Sequence, residues 1–147
     1  MTVHRFETRV YYEDTDAAGI VYYANYLKFA ERARTEILRA AGISQHEIAA
    51  EDRVAFPVRA VAVEYLKPAK LDDALLIESE LLELGGATAR VRQAVKRLAD
   101  GADLAVMDVR LACVKLDDGR PTRWPAPVKA ALALHATGAR HIPDTKT

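Results

Sequence analysis

The amino-acid sequence predicts one α+β domain, in which a five-stranded antiparallel sheet packs against one long helix. The chain has 147 residues, a length typical of a single domain of ~100–200 residues with a substantial core. Only one long segment, residues 25–41, carries apolar residues at helical spacing, and most later segments have the character of strands. Short turns separate these strands, which favours antiparallel pairing and excludes a doubly wound α/β sheet.

The N-terminal part of the chain predicts one strand followed by two helices. Residues 4–12 mix aromatic, β-branched and charged side chains, which is typical of a strand. Ser44 stands three residues before Glu47, the spacing of a capping box, and this predicts a short helix over 45–52. The long helix of residues 25–41 should lie across the sheet on its apolar stripe, which comprises Tyr26, Phe29, Ala30, Ala33, Ile37, Leu38 and Ala41.

Four further strands and a closing helix are predicted from the rest of the chain. Their hairpin-type connections predict that these four strands are antiparallel neighbours. The closing helix has proline at its start, and the polar tail from about residue 137 is expected to be loose. No linker or repeat divides residues 1–147, which we treat as one domain. The strands are predicted over 54–67, 74–84, 87–99 and 104–116, and the helix over 125–134.

The composition excludes several classes of function. Lys plus Arg and Asp plus Glu number 21 each, whereas nucleic-acid binders usually carry a basic excess. The single cysteine, Cys113, excludes an intrachain disulfide framework and a Cys-rich zinc site. No run reaches the ~18 apolar residues of a membrane span, and the first residues lack an apolar signal region. We therefore expect no nucleic-acid partner, no membrane insertion and a cytoplasmic location.

Two asymmetries lie beneath the neutral total charge. Residues 1–86 contain 10 basic and 15 acidic side chains, and residues 87–147 contain 11 and 6, so the halves carry −5 and +5. Five of the six tyrosines fall within residues 11–26. The tyrosines surround the strongest candidate site, and the charge difference between the halves also requires an explanation.

The candidate site comprises Asp14 and Asp16, between the first strand and the long helix. In an extended segment residues two apart point to the same side, so the two carboxylates could share one site. A carboxylate among tyrosines can act as base or nucleophile, Gly19 permits close backbone approach, and free N–H groups at the helix start can stabilise negative charge. Two other interpretations stay open: the aspartates cap a turn, or they bind a divalent metal.

A second candidate site lies on the strand after Gly85-Gly86. The period of two places Thr88, Arg90 and Arg92 on one face, opposite apolar residues. Arginine pairs bind phosphate groups bidentately, so this face could hold a phosphorylated ligand. The alternative is an ordinary polar, solvent-facing side of an antiparallel sheet.

The other nucleophiles and possible ligands favour structural roles. Ser44 and Ser79 are the only serines, and neither lies in a G-x-S-x-G nucleophile elbow. Cys113 lies in an apolar strand and is expected in the core. The four histidines are scattered without the spacing of metal ligands, and no metal site is predicted.

The segment VYYEDTDAAGIVYYANYLKFAERARTEIL (10–38) resembles the N-terminal signature of hotdog-fold acyl-CoA thioesterases. It is similar both to the Tol–Pal-associated thioesterases and to the 4-hydroxybenzoyl-CoA thioesterases. The similarity continues through residues 54–73 and, more faintly, 120–128. The resemblance implies a sheet wrapped around one long helix, and a homodimer that assembles further into a homotetramer.

The resemblance also implies roles for individual residues. The second aspartate of the family's Asp-x-Asp is catalytic, and this position is Asp16. The backbone N–H that polarises the thioester carbonyl falls on Tyr23, where the Tol–Pal-associated enzymes usually carry histidine and the hydroxybenzoyl type does not. Coenzyme A contacts fall near Thr88 and Arg90. Positions that shape the site correspond to Tyr12, Asp14, Gly19 and Asn25.

These observations predict an enzyme that hydrolyses acyl-CoA to a free acid and coenzyme A, with no cofactor beyond the coenzyme A of the substrate. Asp16 would act as a general base or as a nucleophile, and the residues leave this choice open. One rival is a hotdog module that binds acyl-CoA or an acyl carrier without hydrolysis. Another is a phosphoryl-transfer enzyme that uses the Asp-x-Asp to hold metal and phosphate, but its usual alternating α/β pattern is absent.

Overall fold

The structure, a computed structural model, describes residues 2–137 and the backbone of residues 140–141. Three α-helices and eight β-strands make up the described part of the chain. The helices are α1 (Asn25–Ala40), α2 (Gln45–Glu51) and α3 (Ala126–Ala133). The strands are β1 (His4–Arg9), β2 (Val54–Ala55), β3 (Val58–Tyr65), β4 (Ala74–Leu84), β5 (Thr88–Arg97), β6 (Asp103–Ala112), β7 (Val114–Lys115) and β8 (Arg140–His141).

The main sheet has the strand order β1-β4-β5-β6-β3, and these five strands are antiparallel. The α+β class and the five-stranded antiparallel sheet are confirmed. The predicted neighbour relation of the later strands is wrong in one place, because β3 pairs with β6 and not with β4. The connection between β3 and β4 is no hairpin: it runs beside the loop before α1, where Val21 N–H donates to the Ala69 carbonyl at 2.9 Å.

Three predicted strands are shorter than expected. The strand predicted over 54–67 divides at Pro57, which has no N–H to donate, so β2 and β3 enter different sheets. The strand predicted over 104–116 divides at Cys113, and its end, β7, pairs with β2. The strand predicted over 4–12 ends at Arg9, because a 3₁₀ turn begins at Tyr12.

Helix α1 lies across the inner face of the sheet, as predicted. Its predicted apolar stripe is buried from Tyr26 to Leu38, and Phe29, Ala30 and Ala33 are completely inaccessible. Burial of a side chain such as Phe29 contributes roughly 1.5–3 kcal/mol to stability. Ala41, the last predicted member of the stripe, is exposed because the helix ends at Ala40.

The two short helices form where the residue pattern predicts them. The Ser44 hydroxyl accepts a hydrogen bond from Glu47 N–H at 3.3 Å at the start of α2, and α3 begins directly after Pro125. The predicted loose tail falls partly on residues 138–139 and 142–147, which lie outside the described residues. Within it, the backbone of β8 pairs in parallel with Glu83 and Leu84. No helix in the described part of the chain is both long and apolar enough to cross a membrane.

Candidate active site

The loop between β1 and α1 folds back on itself and joins the core. Thr15 and Val21 form an antiparallel bridge, and Asp16 N–H donates to the Ile20 carbonyl at 2.9 Å. Gly19 makes the turn at a φ of +78°, in the left-handed region that favours glycine. Val10 and Val21 are buried at the two ends of the loop. This arrangement fixes Asp16 beside the chain segment that enters α1.

Asp14 is buried and holds the loop against the start of α1. Its carboxylate accepts hydrogen bonds from Tyr11 N–H at 2.9 Å and from the Asn25 Nδ2 at 3.0 Å. Its backbone carbonyl accepts from Tyr22 N–H at 3.0 Å. Only 3% of the Asp14 surface is exposed, so its side chain points into the protein and stabilises the loop.

Asp16 lies on the surface, in an environment different from that of Asp14. The expectation that the two carboxylates point to the same side is wrong, because residues 12–14 form a 3₁₀ turn and not an extended segment. The Asp16 Oδ1 accepts one hydrogen bond, from Ala18 N–H at 2.9 Å. Asp16 is therefore available to a ligand. In the described part of the chain, no three His, Cys, Asp or Glu side chains converge on a possible metal position.

The Tyr23 peptide lies just before the N-terminus of α1. Its N–H donates no hydrogen bond to any residue that the structure describes. Within the same residues, no side chain caps the first turn of α1, whose N-cap position is Ala24. An uncapped helix N-terminus carries partial positive charge and outward-facing N–H groups. The Tyr23 N–H is thus a free donor for a developing oxyanion.

Tyr65, at the end of β3, holds the Tyr23 peptide from the other side, and the sequence pattern does not reveal this role. Its hydroxyl donates to the Tyr23 carbonyl at 3.0 Å, and its ring packs edge-on against Tyr23 with centroids 6.2 Å apart. Burial raises the pKa of Tyr65, with a further contribution from Tyr23, which keeps the phenol protonated as a donor. In the sequence, Tyr65 fits the ordinary alternating pattern of its strand and shows no sign of a role at the site. Only the position of β3 in the sheet brings Tyr65 close to the start of α1.

Five exposed tyrosines lie in or near the loop, and the rings of Tyr22 and Tyr65 pack against the ring of Tyr23. Tyr12 is 81% exposed, and Tyr11, Tyr22, Tyr23 and Tyr65 are also largely exposed. A patch of exposed apolar surface, such as that of the contacting Tyr22, Tyr23 and Tyr65 rings, marks a binding site or a protein interface. We call these five tyrosines the tyrosine surface.

The second candidate site lies away from the first within one chain. Thr88, Arg90 and Arg92 share the outer face of β5, as predicted, while α1 and its preceding loop pack on the inner side. Arg90 is engaged by Asp108, with Nη2–Oδ2 at 2.6 Å, and by Glu83 at 3.4 Å. The Arg90 guanidinium in turn holds the pKa of Asp108 below its usual range.

The remaining nucleophiles serve the structure. Ser79 is buried and accepts a hydrogen bond from the Gln93 side chain at 2.9 Å. Cys113 is buried, as expected, and burial raises the pKa of its thiol to about 11. A thiol that stays protonated at neutral pH is a poor nucleophile.

Comparison with known protein sequences finds related enzymes. The profile of the thioesterase-like superfamily matches residues 10–132. The acyl-CoA thioesterase YbgC of Haemophilus influenzae is 46% identical over 127 residues, which cover 86% of this chain and 92% of the relative. The acyl-CoA thioester hydrolase YbgC of Escherichia coli O6:H1 is 48% identical over 112 residues, or 74% and 83% of the two chains.

Structure comparison gives the same family. A probable thioesterase from Bartonella henselae is 34% identical, with a TM-score of 0.78 over 84% of this chain and 100% of that one. A 1,4-dihydroxy-2-naphthoyl-CoA thioesterase from Synechocystis, 22% identical, shares the fold with a TM-score of 0.83 over 89% and 96% of the chains. The chain therefore belongs to the thioesterase-like superfamily and is a hotdog-fold thioester hydrolase.

Proposed function

We propose that this enzyme hydrolyses acyl-CoA to a free acid and coenzyme A at the loop that carries Asp16 and Tyr23. One observation carries the proposal: the same folded loop presents an exposed carboxylate, Asp16, and an unpaired peptide N–H, that of Tyr23, at an uncapped helix start. The YbgC relatives, which are named as acyl-CoA thioesterases or thioester hydrolases, support the substrate class.

In the first route, Asp16 acts as a general base. The carboxylate removes a proton from water, the oxygen attacks the thioester carbonyl, and the oxyanion accepts a hydrogen bond from Tyr23 N–H. The carbonyl re-forms, the carbon–sulfur bond breaks, and the coenzyme A thiolate leaves and takes up a proton. The dipole of α1 stabilises the same negative charge.

In the second route, Asp16 attacks the carbonyl directly. The thiolate leaves, a mixed anhydride forms on Asp16, and water then hydrolyses it to the free acid. Both routes need the same carboxylate and the same N–H donor. Neither requires a metal or a cofactor other than the coenzyme A of the substrate.

The other predicted site residues fall into two groups. Asp14, Asn25 and Gly19 shape the loop, and Tyr12 offers an exposed ring at its rim. On the outer face of β5, Thr88 and Arg90 are proposed to contact the phosphates of coenzyme A. A phosphate would compete with Asp108 and Glu83 for Arg90.

We further propose that the enzyme is a homodimer that assembles into a homotetramer, with two active sites at each dimer interface. The tyrosine surface and the exposed strand β3 provide apolar area for such contacts. The proposed substrate class favours a cytoplasmic location, which cell fractionation would test.

Replacement of Asp16 tests the catalytic assignment. We expect Asp16→Asn to lower kcat about 10²–10⁴-fold, because the amide can neither accept the proton nor attack the carbonyl. Thiol release would be measured over a panel of short, long and aromatic acyl-CoA esters. The melting temperature should stay near that of the wild type, because Asp16 is exposed and accepts one hydrogen bond.

The same loop offers a residue for a matched control variant. Glu13→Gln changes an exposed carboxylate on the same loop and should retain full activity. An Asp16→Asn enzyme with most of its activity would refute the assignment, and binding of every ester without thiol release would favour the non-hydrolytic module. In single-turnover hydrolysis in ¹⁸O-water, label on Asp16 would identify the anhydride route with water attack on the Asp16 carbon, whereas label confined to the free acid fits either route.

A further inference from the structure

A cavity that neither Asp16 nor Tyr23 borders lies further along α1. It has a volume of about 240 Å³. Arg34, which borders it, follows the N-cap of α1 by ten residues, which is ~15 Å along a helix. Most of its wall is apolar, comprising Ile37, Leu38, Phe56, Pro57, Val58, Val91, Leu111, Trp124, Val128 and Leu132.

Arg34 brings a positive charge to this mainly apolar cavity. Burial lowers the pKa of its guanidinium, because removal from water disfavours the charged form. The Arg34 Nη1 donates to the Gln93 Oε1 at 2.9 Å. None of the ion pairs found within 4.0 Å among the described residues includes Arg34. A guanidinium has five N–H donors, so several stay available for a ligand.

The position of Arg34 is fixed by a buried hydrogen-bond network. Gln93 is completely buried, and its Nε2 donates to the Ala30 carbonyl at 3.0 Å and to the Ser79 hydroxyl at 2.9 Å. These two bonds orient the amide so that its oxygen faces Arg34. The guanidinium is therefore held in place before any ligand binds, which reduces the entropy lost on binding.

We propose that this cavity binds a small hydrophobic carboxylic acid, with the carboxylate on Arg34 and the hydrocarbon part against the apolar wall. The wall contributes through burial of apolar surface, and the carboxylate compensates a partly desolvated cation. The volume is below the ~300–1,000 Å³ of pockets for drug-sized ligands, which favours acids such as octanoate or benzoate. This site is additional to the proposed function and uses neither Asp16 nor Tyr23.

The charges around the cavity favour a monoanion over a phosphate. Glu31 also borders the cavity and carries the same sign as the ligand, so a second negative charge would be repelled. Thr35 and Gln45 are its other polar neighbours and are uncharged. Arg34 and the apolar wall therefore match a ligand with one negatively charged end and one hydrocarbon end, and Glu31 limits that ligand to a single negative charge.

Trp124 provides a built-in probe of this site. It is the only tryptophan in the chain, it borders the cavity, and its ring lies 5.4 Å from that of Phe56. Titration of the intact enzyme with octanoate or benzoate should change its fluorescence with saturation. Octanamide and benzamide match these acids in shape without the charge, and they should bind at least about tenfold more weakly, as expected for the loss of a charged hydrogen bond.

Variants of Arg34 test its role directly. Arg34→Met should weaken octanoate binding at least about tenfold, and Arg34→Lys should have an intermediate effect, because lysine keeps the charge but loses the bidentate fork. Arg39→Met, on the same helix at an exposed position paired with Glu36, should bind as the wild type does. Circular dichroism and thermal melts confirm that each variant is folded.

The proposal is overturned if amide and acid bind equally well, or if Arg34→Met retains wild-type affinity. The comparison of acid with amide uses the unmodified enzyme, so it stays decisive even if Arg34→Met fails to fold. Asp16→Asn should bind octanoate as the wild type does, and tighter binding in that variant, as expected when a neighbouring negative charge is removed, would assign the ligand to the active site instead. Loss of turnover and loss of acid binding are thereby measured separately.

Discussion

Asp14 and Asp16 stand two positions apart and have different tasks because the backbone between them turns. The 3₁₀ turn directs Asp14 into the protein, where the Tyr11 N–H and the Asn25 amide each donate to one of its oxygens. Asp16 follows the turn and stays on the surface. One carboxylate thus builds the site while the other is free for chemistry.

Tyr65→Phe tests whether the hydroxyl of Tyr65 positions the Tyr23 peptide. The ring contacts with Tyr23 and Tyr26 stay, while the bond to the Tyr23 carbonyl is lost. We expect kcat to fall up to about tenfold with little change in KM, because the aligned N–H acts on the transition state more than on bound substrate. Steady-state kinetics separates the two constants.

A purely structural role for Tyr65 gives a different result. Lower thermal stability with unchanged kcat would contradict the positioning role. Tyr65→Leu, which also removes the ring, should lower both stability and kcat, and this contrast separates the hydroxyl from the packing.

His4 predicts a pH-dependent stability. Burial, with a smaller contribution from His135, lowers the pKa of His4 below its ordinary value of 6.5, and its buried Nδ1 has no hydrogen-bond partner among the described residues. The unfolded chain then binds the proton more readily than the folded one. The free energy of unfolding should therefore fall as pH drops below about 6.5.

Denaturant unfolding at several pH values would measure this slope. His4→Gln should flatten it, while the matched change at exposed His46 should leave it unaltered. Glu36 opposes the effect by favouring the charged form of His4, and the second ring, His135, lies 5.1 Å away with its Nδ1 against the Thr2 carbonyl. An identical slope in His4→Gln would attribute the acid sensitivity to other groups.

At the scale of elements, the outer face of β5 forms ion pairs and is also the proposed binding surface for the phosphates of coenzyme A. Arg90, Arg92 and Lys96 lie beside acidic residues of β4 and β6, and cross-strand ion pairs join them. The Arg92 contact with Glu80 is longer, at 3.8 Å, than the Arg90 contact with Asp108. Exposed pairs of this kind are worth roughly 0–1 kcal/mol each, so phosphate could displace some of them.

Neutral variants distinguish these uses. If β5 binds coenzyme A, Arg90→Met and Arg92→Met should each raise KM for acyl-CoA about threefold to tenfold with kcat largely kept, because a charged contact is lost before chemistry. Arg5→Met is the matched control, because Arg5 is an exposed arginine of β1 that pairs with Glu78 of β4. If KM is unchanged in both variants, this face forms ion pairs only and does not bind coenzyme A.

The residue pattern predicts the elements well where their periodicity is local. The stripe of α1 and the capping of α2 depend on neighbours a few residues apart, and both are confirmed. The pairing of β3 depends on residues far along the chain, and here the hairpin expectation failed. Pro57 could have indicated the break in the strand predicted over 54–67, because proline cannot donate within a sheet.

At the scale of the whole molecule, β3 forms the open edge of the main sheet. Its inward-facing Val61 is 40% exposed, because α1 does not extend over this edge. An edge of this kind is a natural place for another chain to pair. The proposed homodimer would complete the sheet and cover these residues.

Val61→Lys should disrupt this assembly. A charge buried between two copies is costly, so the variant should be monomeric and should lose activity together with the dimer. Light scattering after gel filtration measures the mass. Glu7→Lys, at an exposed position on the opposite edge strand, should keep the wild-type mass, and a dimeric, active Val61→Lys enzyme would place the interface elsewhere.

The opposite charges of the two halves also have an explanation within one chain. The acidic strand β4 lies directly beside the basic strand β5, with Glu80 opposite Arg92 and Glu78 near Lys96. The charge difference therefore arises at least in part from cross-strand pairs, in addition to any role in binding the two ends of a substrate.

Composition and local periodicity were enough to predict the α+β class, the long helix and the loop with Asp14 and Asp16, while Tyr23 was indicated only by the resemblance of residues 10–38 to hotdog-fold thioesterases. These features depend on residues close together in the chain. Long-range contacts were needed to bury Asp14, bring Tyr65 to the Tyr23 carbonyl, engage Arg90 with Asp108 and place Arg34 at a cavity. Each of these contacts joins segments whose separation along the chain carries no periodic signal, so packing alone establishes them.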